Sequence, residues 1–149
     1  MFDVGLEANS KQDSIMVTSV SFEHTNPSVP GATMDIYASM TGSYIGSEKS
    51  PLDWVKVGTV TVPNTAFEFE EIILSYPIPV ARGEKRGFYL VSSSESVVLV
   101  VGSGGNYQIT DDHGVKLGSG SASVTTFGGI LENYSWGGKV GYKYSNIGL

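Results

Sequence analysis

The side chains best suited to binding a metal ion lie together in one short acidic segment that also contains a histidine. Asp111, Asp112, His113 and Gly114 are consecutive and offer two carboxylates and an imidazole. Hard cations such as Ca²⁺ prefer oxygen ligands from loops, but Asp and Gly are equally typical of a β-turn. Because no spaced set of oxygen ligands such as DxDxDG lies nearby, we interpret the segment as a turn. Asp111 and Asp112 are kept as the candidate ligands if calcium binds.

Catalytic patterns are the second kind of chemistry to consider. Glu68, Glu70 and Glu71 could be read as the acid and base of a glycoside hydrolase, which needs two carboxyl groups at a defined separation. On a strand, Glu68 and Glu70 point to the same side, so we interpret them as part of a solvated face. His24 and His113 are the only histidines and form no HExxH pattern, no GxSxG is present, and the chain has no cysteine. We expect a non-catalytic protein.

Aromatic residues in or beside loops suggest binding. Flat rings with neighbouring Asn, Asp and Ser groups suit a sugar-binding face, which needs apolar stacking and directional hydrogen bonds. For Trp54 and Trp136 we favour the other interpretation, that they are core residues which close the ends of the fold. Tyr44 follows Gly42-Ser43 and precedes Ile45-Gly46 at a hairpin tip, so Tyr44 and Ile45 are the leading contact residues. The candidate ligand-binding set is Tyr44, Ile45, Trp54, Tyr107, Tyr134 and Trp136.

Residues 32–62 are predicted to form the two strands that position this hairpin tip. Met34, Ile36, Ala38 and Met40 recur at every second position, with polar residues and Tyr37 between them, which is the alternation of a half-buried strand. A loop rich in Gly and Ser follows, and the chain returns through Trp54, which we expect to close the end of the core. Gly58 interrupts the alternation of the second strand.

Other strands are predicted along the chain. In residues 1–7, Phe2 and Val4 share one face and Asp3 the other. In residues 14–22, the alternation assigns Met16, Val20 and Phe22 to one face and Ile15 and Val17 to the other. Residues 67–74 fit a strand with a bulge near Glu70 and Glu71, and residues 96–101 fit a buried strand. With roughly nine to ten short strands and no helical crossover, the predicted fold is all-β: a two-sheet antiparallel β-sandwich of jelly-roll or Greek-key type. A closed barrel suits such short, irregular strands less well.

Length and composition limit the domain organisation and the classes of partner that the protein can bind. The 149 residues fit a single domain over 1–149. Either the protein is made without a signal peptide or the domain is excised from a larger protein, and we favour excision. A net charge of -6 argues against nucleic acid, which needs clustered Lys and Arg. No segment approaches the length of a membrane span.

The motifs MFDV (1–4), DIYASMTGSYIGSE (35–48), DWVKVGTVTV (53–62) and RGFYLVS (86–92), with an aromatic-rich close, resemble a β-sandwich module repeated in large secreted proteins of bacteria and of stramenopile algae such as diatoms. The resemblance spans most of the chain and weakens after Val101. It implies a sandwich fold and a secreted, cell-surface or matrix setting. It supplies no catalytic residues, and the role of such modules is poorly defined.

Three function classes follow. The first is a non-catalytic extracellular adhesion or carbohydrate-binding module that recognises glycan or matrix through loop aromatics. The second is a structural subunit that self-assembles into a filament, sheath or shell, using the strands at 67–74 or 96–101 as edges. An esterase or lyase ranks last because no catalytic constellation is recognisable. Asn133-Tyr134-Ser135 is also a glycosylation sequon, meaningful in a secreted eukaryotic protein.

Overall fold

The computed structural model describes residues 1–24, 31–63, 69–93, 109–117, 119–123, 130–135 and 138–145. Within these ranges the chain forms β-strands joined by turns, and no α-helix occurs there. A single turn of 3₁₀ helix, Pro51–Asp53, precedes the fourth strand. The strands are β1 (Phe2–Leu6), β2 (Ser14–Glu23), β3 (Thr33–Ser39), β4 (Trp54–Thr61), β5 (Phe69–Ala81), β6 (Lys85–Ser92), β7 (Ile109–Thr110), β8 (Val115–Leu117), β9 (Ser119–Ser123), β10 (Ile130–Ser135) and β11 (Lys139–Tyr144).

Two antiparallel sheets pack face to face, which confirms the predicted β-sandwich. The larger sheet has the strand order β4-β3-β6-β1-β8-β7, and the smaller has the order β11-β2-β5. A separate pair, β10-β9, adjoins the start of β1, where the Ser121 N–H donates to the Met1 carbonyl.

The strand pairings are nested. β3 pairs with β4, β2 with β5, and β1 with β6, all antiparallel. This is the pattern of one long hairpin rolled up into two sheets, as in a jelly roll. The loop between β3 and β4 therefore forms the tip of the rolled hairpin.

The core lies between the two sheets. Phe2 and Phe88, opposite each other on β1 and β6, stack with ring centroids 5.8 Å apart. The described core is completed by these apolar side chains: Val4, Leu6, Ile15, Val17, Val20, Phe22, Ala32, Met34, Ile36, Ala38, Val57, Val62, Ile72, Leu74, Ile78, Val80, Leu90 and Val115. β-branched and aromatic residues dominate because they fit a pleated, buried surface.

β2 differs from the prediction in which residues face the core. The simple alternation assigned Ile15 and Val17 to the face opposite Val20 and Phe22, yet all four are buried in the same core. The cause is a β-bulge at Thr18: consecutive residues of β11 oppose Val17 and Ser19, which leaves Thr18 as the extra residue. The bulge reverses the phase of β2, so one strand supplies two buried pairs to one face.

The prediction of a β-bulge near Glu70 and Glu71 is wrong. β5 pairs with β2 without interruption from Phe69 to Ile73, and the register shifts only between Ile73 and Ile78. No phase change is needed earlier, because Phe69 faces outward with 43% of its surface exposed. The Lys139 ammonium lies 4.2 Å from the centre of its ring.

Gly58 interrupts the alternation of β4, as predicted. The β3–β4 register shifts so that Val57 is the extra residue, and Val57 is fully buried. A Cβ atom at Gly58 would lie 2.7 Å from Cγ2 of Ile72 in the opposite sheet. The glycine therefore permits the close approach of β4 and β5 where the two sheets meet.

Candidate functional site

Residues 40–53, here called the tip loop, connect β3 and β4 and include the leading contact residues of the sequence analysis. Gly42 and Gly46 have φ angles of 117° and 91°, a region that L side chains rarely adopt. Successive turns are closed by backbone bonds from Ser47 N to Tyr44 O, from Ser50 N to Ser47 O and from Asp53 N to Ser50 O. The Met40 N–H donates to Asp53 O over 2.8 Å and closes the base of the loop.

A buried carboxylate fixes the tip loop to the larger sheet. Asp3 on β1 is 8% exposed, and its Oδ2 accepts a 2.5 Å hydrogen bond from the Ser43 hydroxyl. Its Oδ1 accepts a 2.8 Å hydrogen bond from the Tyr44 backbone N–H. Burying a carboxylate is unfavourable unless hydrogen bonds compensate for lost water, so the loop and Asp3 depend on each other.

Gly87 on β6 provides the surface on which the loop lies. It is directly opposite Asp3 in the β1–β6 register, and its N–H donates to Gly42 O over 2.6 Å. A Cβ atom at position 87 would be 2.6 Å from the backbone nitrogen of Tyr44. Only glycine allows the loop backbone to approach the sheet this closely.

Trp54 supports the loop from beneath. The indole is 7% exposed, donates its N–H to Ser47 O over 2.9 Å, and packs edge-on against Tyr89 with centroids 5.6 Å apart. Trp54 was expected to close the end of the core. It lies instead on the outer face of the larger sheet and is not part of the core between the two sheets. Its partner Tyr89 is on that outer face, since Tyr89 alternates with the core residues Phe88 and Leu90.

Three large apolar side chains of the tip loop are exposed to solvent, together with the polar residues Thr41 and Lys49. Leu52 is 92% exposed, Ile45 68% and Met40 65%. Tyr44 is half-buried because its backbone is held against Asp3 and Gly87. Of the aromatic candidates whose side chains are described, Trp54 is buried under the loop and Tyr44 lies at the tip beside Ile45.

The other aromatic candidates are separate from the tip loop in sequence. Tyr107 and Trp136 lie outside the described residues. Tyr134 is in β10, opposite Gly120 of β9, and only its backbone is described. The site-level hypothesis therefore depends on Tyr44 and Ile45.

Asp111 is the central residue of the turn between β7 and β8. Its Oδ1 accepts hydrogen bonds from the backbone N–H groups of His113 and Val115, each 2.9 Å long, and Gly114 has a φ of 82°. Its Oδ2 accepts a hydrogen bond from the Tyr142 hydroxyl of β11. Both carboxylate oxygens are thus engaged within the protein, while Asp112 is exposed. Across the described part of the chain, no three His, Cys, Asp or Glu side chains are grouped as a metal site.

Asp111 and Tyr142 shift each other's pKa in opposite directions. Burial alone raises the pKa of Asp111, but the hydrogen bonds from Tyr142, Val115 and His113 outweigh it and leave the pKa below its usual value. Desolvation, followed by the hydrogen bond to Asp111, raises the pKa of Tyr142. At neutral pH the pair is a carboxylate and a neutral phenol, and it connects the larger sheet to the smaller one.

Asp3 and Gly87 are the residues that sequence reasoning missed. The alternation of β1 correctly places Asp3 on the face opposite Phe2 and Val4, but gives no sign of its partners 40 and 41 positions away. The sequence contained one clue to this contact. The motifs MFDV and GSYIG, both part of the resemblance, contact each other in the fold through Asp3, Ser43 and Tyr44.

A scan against protein-family models and a search of curated proteins each find no match for this chain. Among the described residues, no helix has the length and apolar character needed to cross a membrane.

Proposed function

We propose that this chain is a non-catalytic extracellular binding module that adheres to a matrix polymer or glycan through the tip loop. The observation that supports the proposal is the combination of exposed Met40, Ile45 and Leu52 with a loop backbone anchored by hydrogen bonds to Asp3 and within its own turns. A rigid loop loses little conformational entropy on binding. Its exposed apolar side chains gain free energy when a partner covers them.

The size of this gain indicates a weak single contact. Fully burying a Leu, Ile or Met side chain is worth about 1.5–3 kcal/mol, so these three partly exposed side chains offer about 3–7 kcal/mol. Loss of translational and rotational freedom costs about 4–15 kcal/mol. One tip loop alone therefore binds weakly, and several linked copies would gain from multivalency, which suits the repeated modules that the sequence resembles.

Retention on immobilised polymers tests the proposal. The wild-type protein is passed over cellulose, chitin, alginate and gelatin supports, and we expect delayed elution on at least one. Ile45→Ala should reduce this delay, and so should Tyr44→Ala at the same tip. Ile73→Ala is the matched control, because Ile73 on β5 is 69% exposed against 68% for Ile45 but lies outside the tip loop. Equal retention of the Ile45 and Ile73 variants would refute a contact at the tip loop.

The second candidate function is self-assembly through β5, since the other predicted edge strand, residues 96–101, lies outside the described residues. In the described residues β5 is an outer strand of the smaller sheet and exposes Phe69, Ile73 and Tyr76. Pro77 and Pro79 have no N–H to donate, so edge pairing with another copy would be confined to the first part of the strand. Light scattering separates the candidates: oligomers that Ile73→Lys dissociates and Ile45→Ala leaves intact would favour assembly.

A further inference from the structure

A cluster of three rings lies where the turn between β7 and β8 meets β11, apart from the tip loop. The His113 and Tyr144 rings have centroids 5.0 Å apart and planes inclined by 59°. Tyr142 contacts Tyr144 edge-on, with centroids 5.9 Å apart. Neither neighbour lies flat against Tyr144, and 37% of the Tyr144 surface is exposed.

The cluster is held in place by bonds from three parts of the chain. The Ser10 hydroxyl donates to the His113 carbonyl over 2.7 Å. Asp111 accepts the His113 backbone N–H and the Tyr142 hydroxyl. These bonds fix the His113 backbone and the Tyr142 hydroxyl before any ligand arrives, which lowers the entropic cost of binding.

The chemistry of the cluster selects among ligands. A cation would need oxygen ligands, but both oxygens of Asp111 are already engaged. An anion such as phosphate would be repelled by Asp111 and the exposed Asp112. A neutral pyranose suits the cluster, because its C–H face can stack on the Tyr144 ring while its hydroxyls bond to the His113 imidazole and the Asp112 carboxylate.

We propose that Tyr144, His113 and Asp112 form a saccharide-binding site, with Tyr142 and Asp111 as the residues that position it. Tyr144 supplies the stacking surface, and His113 and Asp112 supply directional hydrogen bonds. This site shares no residue with the tip loop, so the test of one proposal does not decide the other.

Nuclear magnetic resonance of the histidine rings tests the site directly. The chain has two histidines: His113 is exposed, whereas His24 is fully buried beside Phe22 and serves as an internal control. Cellohexaose, laminarihexaose, xylohexaose and mannohexaose are titrated to about 10 mM, a range that detects millimolar affinity. We expect a saturable shift of the His113 ring signals with at least one of them, and unchanged His24 signals.

Variants decide whether the shift reports this site. Tyr144→Ala should weaken binding at least about tenfold, Tyr144→Phe should retain most of it, and Tyr76→Ala, which removes another exposed tyrosine, should leave it unchanged. Unperturbed His24 signals show that each variant is folded. The proposal is overturned if no sugar moves the His113 signals, or if Tyr144→Ala binds as the wild type does. Loss of binding in Ile45→Ala, with Tyr144→Ala unaffected, would place the saccharide at the tip loop instead.

Discussion

The contact between Gly87 and the tip loop predicts the effect of one added methyl group. In Gly87→Ala the new Cβ would lie 2.6 Å from the Tyr44 nitrogen and 2.9 Å from its Cα. Both are backbone atoms, so no side-chain rotation relieves the overlap. To reach the 3.4 Å of an ordinary contact, the loop must withdraw by about 0.8 Å, a shift that a closely packed contact does not absorb without strain.

This displacement has a calculable cost. It stretches the 2.8 Å hydrogen bond from Tyr44 to Asp3 beyond bonding distance, and a hydrogen bond to a charged group is worth about 1.5–3 kcal/mol. Overpacking itself typically costs about 1–3 kcal/mol. Withdrawal of the loop relieves the steric overlap but breaks the hydrogen bond to Asp3, so the two costs are not simply added. We expect a loss of about 2–4 kcal/mol in unfolding free energy. For a chain of this length that lowers Tm by about 5–15 °C.

Gly5→Ala is the matched control. Gly5 is in the same sheet, on β1, but a Cβ there would meet its nearest atoms at 3.4 Å, which is ordinary contact. Alanine in a strand is favoured over glycine by about 0.5–1 kcal/mol, so this variant should be as stable as the wild type or slightly more so. Urea unfolding followed by circular dichroism and tryptophan fluorescence measures both. If Gly87→Ala loses less than about 0.5 kcal/mol, or no more than Gly5→Ala, the reasoning is refuted.

Two further predictions concern the loop and the inter-sheet hydrogen bond. Trp54→Phe removes the indole N–H that bonds to Ser47 O, while the Ser50 N–H still donates to the same carbonyl, so the unfolding free energy should fall by about 0.5–1.5 kcal/mol, the worth of one hydrogen bond; an unchanged urea midpoint would contradict the assigned role. Asp111→Asn tests the pH dependence of stability. Because the pKa of Asp111 is lowered in the folded protein, its contribution is present above the unfolded-state pKa of about 3.9 and is lost as pH falls through the folded value. The wild type should therefore exceed Asp111→Asn in stability at pH 7 and lose that advantage progressively as pH falls below about 3.9; a difference independent of pH would show that the Tyr142 hydrogen bond does not depend on the charge.

The adjacent pair β3 and β4 shows what a local pattern predicts well. Side-chain direction alternates along a strand whatever lies beyond it, so the burial of Met34, Ile36 and Ala38 was predictable from spacing alone. The same rule failed at Met40, which is 65% exposed, because β3 ends at Ser39 and the alternation ends with it.

Bulges mark the limit of that local rule. Thr18 is no different in type from its neighbours, and it becomes the extra residue only because β5 and β11 pair on either side of it. Gly58 was predictable as an interruption, since glycine within a strand commonly marks a bulge or a close approach. The partner in that approach, Ile72, was not predictable.

Some features of the candidate site were likewise predictable from local sequence, and others were not. The sequence by itself determined the all-β class, the hairpin with Tyr44 and Ile45 at its tip, and the turn at Asp111, because each depends on local periodicity or on the turn preferences of Gly, Ser and Asp. Only the tertiary structure decided that Asp3 and Gly87 hold the tip loop, that Trp54 lies beneath it, and that Asp111 bonds to Tyr142, 31 positions away. The physical reason is that buried polar groups must find partners, and the folded arrangement of the sheets, rather than proximity in sequence, determines which partners are within reach.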